Sequence, residues 1–231
     1  MTAHLNDQPD ALRGSWIIDP IASHVTFAVR YALVGHIRGR FTAFEGLLDL
    51  REDITRCSTL LRIDANSVVT GPRSQDDWLR SAAFLDTATF PAITFQSTQV
   101  RPHPNGLRGH AVVTGDLTIR DITRSVRLTA QHRRVHAVGG GTMRAEFSGL
   151  AKLSRRDFNL GTHRDSGRGG ALVGDQLTLA LDICAVGRRR GGQRRAGLGE
   201  LADGRTTASA ARAERLTRTR CPGRSARPGS G

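Results

Sequence analysis

The chain has 231 residues, room for one ample domain or two small ones, and its 38% apolar and 24% charged content is that of a soluble globular protein rather than a collagen-like or wholly disordered one. Its net charge of +13 is unevenly spread: residues 188–231 carry twelve arginines against Glu200, Asp203 and Glu214, which leaves only +4 for everything before them. All eleven aromatic residues precede position 159, so basic surplus and core-forming residues occupy different stretches, and the folded body does not have the charge of a nucleic-acid binder.

Residues 1–13 read as a flexible polar lead-in with no apolar run of secretory length, and no stretch of the chain approaches the roughly 18 to 20 apolar residues of a membrane span. Cys57, Cys184 and Cys221 are an odd, widely spaced set without CxxC, which argues against a disulfide framework or zinc site and for a reducing, cytoplasmic setting. From residue 14 the patterning has a period of two. Val25, Phe27 and Val29 alternate with His24, Thr26 and Ala28; 38–50 is a second extended stretch, and Leu61 and Ile63 lie on one face of a third. Ser74 to Ala83 interrupts with a short helix stopped before Pro91. Extended stretches then recur at 93–100, 107–120, 125–136, 142–153 and 172–186, with turns at Pro102–Gly106 and Gly139–Gly141. About eight strands and one helix, with no internal repeat, describe an antiparallel barrel or sandwich over 14–187. From Gly187 the apolar pattern collapses, and 188–231 is expected to be a disordered Arg-rich tail.

Recognisable catalytic signatures are missing. There is no GxSxG elbow, and His132 and His136, four apart on a strand, are about 13 Å from one another, too far for one ion. The Gly-rich 164–170 segment lacks the GxxxxGK[ST] arrangement and reads first as a loop, with Arg168 available to an anion. The Arg188–Arg195 run is RGG-like, but no interleaved aromatics accompany it. By spacing alone, Phe27, Phe41, Phe44, Phe84 and Phe95 are core filler or the walls of a ligand cavity.

A resemblance chooses between these. Trp16-Ile17-Ile18-Asp19 with Ser23-His24-Val25-Thr26-Phe27, Gly39-Arg40-Phe41-Thr42-Ala43-Phe44-Glu45-Gly46, and the block Thr70-Gly71, Leu79-Arg80-Ser81, Phe84-Leu85-Asp86, Phe90-Pro91, Ile93-Thr94-Phe95 follow one another as in the YceI-like, lipocalin-like polyisoprenoid-binding proteins. Gly115-Asp116-Leu117-Thr118-Ile119-Arg120 and Arg156-Asp157-Phe158 continue the resemblance, which runs from about Ser15 to Val186 and stops before the tail. The chain departs from the pattern at Gln75-Asp76-Asp77-Trp78-Leu79, where the family has R-D-x-H-L, at Asp121 and Ser125, where Gly and Pro are usual, and at Asn159, where Gly is usual.

The resemblance implies an extended lipocalin-like barrel that encloses an apolar tunnel and binds an isoprenoid, an isoprenoid quinone or another long-chain lipid without catalysis or cofactor. Phe27, Val29, Phe41, Phe44, Leu61, Ile63, Phe84 and Phe95 are the expected lining, with Trp78 near one mouth and Arg73, Arg80 and Arg168 as candidate head-group contacts. A homodimer is compatible with this, nucleic acid enters only through the tail, and a small-molecule enzyme is the remaining alternative class.

Overall fold

The computed structural model describes residues 9–31, 35–161 and 173–188, which lie within one compact unit, Met1–Gly191. Of the 188–231 stretch expected to be disordered, Arg188 ends the last strand and the rest, from 189 onward, lies outside the described residues, as does the 164–170 loop. A single helical turn α1 (Pro9–Leu12) leads into β1 (Gly14–Ile18), β2 (His24–Tyr31), β3 (Gly35–Phe41), β4 (Phe44–Leu50), β5 (Ser58–Asp64) and β6 (Val68–Val69). Helix α2 (Arg73–Arg80) follows, then β7 (Ala92–Pro102), β8 (His110–Ile119), β9 (Ile122–Gly139), β10 (Thr142–Ser154) and β11 (Val173–Arg188).

Every strand pairing is antiparallel. In the order β1-β4-β5-β7-β8-β9-β10-β11, with β11 returning to β1, eight strands close into a barrel. Closure depends on β11 changing partners. Its first part pairs with β2, ending at Asp182 opposite His24, and its last part pairs with β1 through Ala185 opposite Ile18. The β1–β2 corner is pinned there: Cys184 N donates to Ser23 Oγ at 2.9 Å, Ser23 Oγ donates to the Cys184 carbonyl, and Asp19 Oδ1 accepts from Ile21 N. Strands β2, β3 and β6 continue outward from β11 as a side extension of the sheet.

Two expectations are refined by these contacts. The stretch 38–50 is two strands rather than one, because the chain turns at Thr42–Ala43, where Thr42 N donates to the Ser67 carbonyl and Asp64 N to that of Ala43. The helix ends at Arg80 instead of reaching Ala83, since Ser81 is extended and its N–H closes on the carbonyls of Asp77 and Trp78. Both ends of α2 suit its dipole, with Asp76 in the first turn and Arg80 in the last. The β8–β9 corner is tight enough to force Arg120 to φ 58°, and Asn159, closing the turn after β10, takes φ 51°.

Candidate functional site

Alternation and register decide which residues face the barrel interior. On the wall made by β5 and β7, Leu61 lies opposite Phe95 and Ile63 opposite Ile93, and all four are buried. Phe27 and Val29 come from the inner face of β2, Phe41 from the end of β3 and Phe44 from the start of β4. Of the nine residues expected to line an interior, Phe27, Phe41, Phe44, Leu61, Ile63, Phe84 and Phe95 pack in one core cluster, with Val29 buried and Trp78 half-buried against it. The Phe27 and Phe41 rings meet at a tilt of 46° with 5.7 Å between their centroids.

The facing wall was not singled out from the sequence. Ala111 and Val113 on β8, Ala130 and Leu128 on β9, Gly149 and Ala151 on β10, and Leu181 and Leu179 on β11 lie side by side through the register. Small side chains recur across this wall, and Val126, Leu128, Ala130, Leu177 and Leu179 remain partly exposed although they face inward. They pack against the main core cluster and leave apolar surface accessible beside it. The clue in the sequence was the unbroken alternation Val126, Leu128, Ala130, unremarkable in size and free of aromatics.

The two ends of the interior differ. At one, Trp16, Met143, Ala145 and Ala185 form a second buried cluster under Ala11 and Leu12, with the Trp16 indole N–H donating to the Leu12 carbonyl at 2.7 Å. At the other, Leu79, Phe84 and Leu85 enter the main core from α2 and the segment after it. Trp78 packs on Phe84 with ring centroids 4.9 Å apart, so the residue standing where the family pattern has His serves as a hydrophobic brace of that end. Asp76 is buried and accepts from both Thr70 N and Thr70 Oγ1 at 2.6 Å; the Thr70 hydroxyl is the main reason its carboxyl sits below the ordinary range.

Among the arginines considered for a head group, Arg80 is committed to the protein: its Nε donates to the Asn66 carbonyl at 2.9 Å, its Nη2 to that of Val68 at 2.6 Å, and its Nη1 lies 3.4 Å from Asp77. Arg73 is exposed at the start of α2, and Arg168 is outside the described residues. The arginine buried beside the Arg156-Asp157-Phe158 element is its neighbour Arg155, which holds the carbonyls of Leu160, Gly161 and Gly174.

Titratable groups do not converge on the interior. His132 faces inward beside the Phe147 ring, its Nε2 buried without a hydrogen-bond partner among the described residues, and burial pulls its pKa down, so the ring is neutral near pH 7. Cys57 and Cys184 are free thiols pushed up by burial, the opposite of an activated nucleophile. No group of three or more His, Cys, Asp or Glu placed to hold a metal occurs among the described residues, and no described helix is long and apolar enough to cross a membrane.

Known proteins resemble this chain in sequence or in fold. The chain is 32% identical over 155 residues to the protein YceI of Salmonella newport, covering 66% of this chain and 79% of that one. It is 29% identical over 148 residues to a UPF0312 protein of Vibrio cholerae, covering 63% and 77%. Among solved structures it resembles BcnA of Burkholderia cenocepacia, with TM-score 0.62, 23% identity, and coverage of 72% of this chain and 98% of that one. It also resembles a polyisoprenoid binding domain from Saccharophagus degradans implicated in plant cell wall breakdown, with TM-score 0.53, 17% identity, and coverage of 74% and 97%. Residues 16–185 match the model of the YceI-like domain, the same span that the barrel occupies, and the chain belongs to that family.

Proposed function

We propose that the barrel binds the apolar chain of an isoprenoid or a similar long-chain lipid in its interior and carries or sequesters it without transforming it. The observation that supports this most is the inner wall of β9 and β11, where Leu128, Ala130, Leu177 and Leu179 face inward but stay partly exposed opposite the buried Phe95 and Leu61. Each methylene moved from water onto such a wall contributes about 0.8 kcal/mol, so a chain of several isoprene units reaches high affinity with no polar contact at all. Similarity in fold to a polyisoprenoid binding domain points the same way.

Phe27, Val29, Phe41, Phe44, Leu61, Ile63, Phe84 and Phe95 contribute to the lining in this reading, with Trp78 bracing one end. The neutral His132 meets a hydroxyl or carbonyl at the polar end of the guest. Arg73 and Arg168 are the arginines left for an anionic head group, Arg80 being engaged by backbone carbonyls.

The test is organic extraction of the purified full chain followed by mass spectrometry, with reloading of delipidated protein by a fluorescent isoprenoid analogue. A stoichiometric lipid of isoprenoid type, or saturable uptake of the analogue that Phe95→Asp abolishes, is the expected result. Protein that yields no lipid and takes up no analogue overturns the reading.

A further inference from the structure

Opposite the inner wall, on the outer face of the sheet, register builds a second feature. Val69, Arg40, Thr26, Ala180 and Leu150 lie in one cross-strand row from β6 to β10, and Arg38, Ala28, Thr178 and Lys152 form the next row. The small side chains in the middle of both rows leave a cleft of about 590 Å³ between the arginines of β3, the Thr70–Gly71 backbone and β11. Its floor is largely apolar, and Leu150, exposed at 48%, extends that floor to one side. Arg38, Arg40 and Lys152 are exposed around it, and neither arginine forms an ion pair among the described residues. Residues 20–44 contain no acid at all, Asp182 on β11 is paired with Arg133, and the carboxylate beside the cleft residue Thr70, Asp76, is held by the Thr70 N–H and hydroxyl.

We infer that this face docks on an anionic phospholipid surface, the cleft receiving a phosphate-bearing head group between Arg38 and Arg40 while Leu150 meets the interfacial region. The occupant follows from charge and shape together. Unpaired guanidinium groups suit phosphate oxygens, an apolar floor beneath them suits a group that is anionic at one end and greasy at the other, and several basic residues on one face suit an extended negative surface. Thr178 adds a hydroxyl group along the cleft, while that of Thr26 donates to the Ala180 carbonyl at 3.1 Å. The inference does not depend on what the barrel interior holds, since it concerns the outer face.

The experiment is cosedimentation of the full chain with phosphatidylcholine vesicles, with and without phosphatidylglycerol. Because the basic tail is present in every protein compared, position rather than total charge is what the comparison reads. Arg38→Gln/Arg40→Gln is expected to weaken phosphatidylglycerol-dependent binding about thirty-fold, while Arg101→Gln/Arg127→Gln, which removes the same charge from exposed positions on β7 and β9, leaves most of it. An environment-sensitive shift of Leu150→Trp fluorescence on addition of the same vesicles is the local signature. Three results would overturn the inference: no phosphatidylglycerol dependence in the parent chain, equal losses in the two double variants, or an unchanged Leu150→Trp spectrum.

Discussion

The Phe95 ring lies over the place where Gly115, its diagonal neighbour on β8, has no side chain: a Cβ added there would stand 2.5 Å from the ring and 2.5 Å from the Gln96 carbonyl. The aromatic ring thus lies along the wall instead of reaching across the barrel, and the Phe27 ring leans over Gly39 on β3 in the same way. Glycine beside phenylalanine is how a barrel rich in Phe keeps its rings out of its centre.

Gly115→Ala is therefore expected to destabilise the protein by about 2 kcal/mol, the usual cost of forcing extra volume into a packed site. Phe95→Leu in the same background should recover part of the ring's share of the clash but not the part due to the Gln96 carbonyl. Urea unfolding of the two single variants and the double variant measures the coupling, and additive effects would contradict the contact.

Introducing bulk on the half-exposed wall should act on binding rather than on folding. Ala130→Phe places a ring on the inward face between Ala111 and Gly149, so if the guest lies there, uptake of an isoprenoid analogue should fall at least ten-fold while the free energy of urea unfolding stays within about 1 kcal/mol of the parent. A loss of both together would mean that this space is already packed.

Asp76 fastens α2 to Thr70. Its carboxyl is held below the ordinary value, so the stabilisation is complete above the unfolded pKa of about 3.9 and disappears as pH falls through the lower folded value. Asp76→Ala should cost about 2 kcal/mol at neutral pH, because the Thr70 N–H and hydroxyl lose a charged acceptor. Asp76→Asn should differ from the parent at pH 7 and converge with it in acid, which thermal melts at a series of pH values would show.

Arg80 closes the other end of the same unit. Arg80→Ala leaves the Asn66 and Val68 carbonyls without their donor, with an expected loss of about 1 to 3 kcal/mol, and Arg80→Lys should restore little because a single ammonium does not reproduce the fork. Faster amide exchange confined to residues 66–80 would localise the effect.

Asn159 occupies a left-handed position that the family usually gives to glycine. Asn159→Gly should leave stability equal or raise it by a few tenths of a kcal/mol, and Asn159→Ala should lower it by about 1 kcal/mol, both read from denaturant midpoints.

Much of this protein is written locally. The period-two runs placed strands at His24–Tyr31, Ser58–Asp64 and across β7 to β11, because burying one face of a sheet demands that alternation whatever the partner strand. The ordered motifs from Trp16 to Phe158 carried the family, and the change of composition after Gly187 marked where core-forming sequence ends. Tertiary structure decided what alternation leaves open. The five residues of β1 are too few to announce a strand, and they become one only by pairing with both β4 and β11. In sequence Arg80 is equally a head-group contact or a structural residue, and the two carbonyls it holds are brought within reach only by the folded chain. Which rows face the interior without being covered, and which small residues on the outer face leave a cleft beneath Arg38 and Arg40, depend on strand register, and register is a relation between segments as far apart as residues 28 and 178.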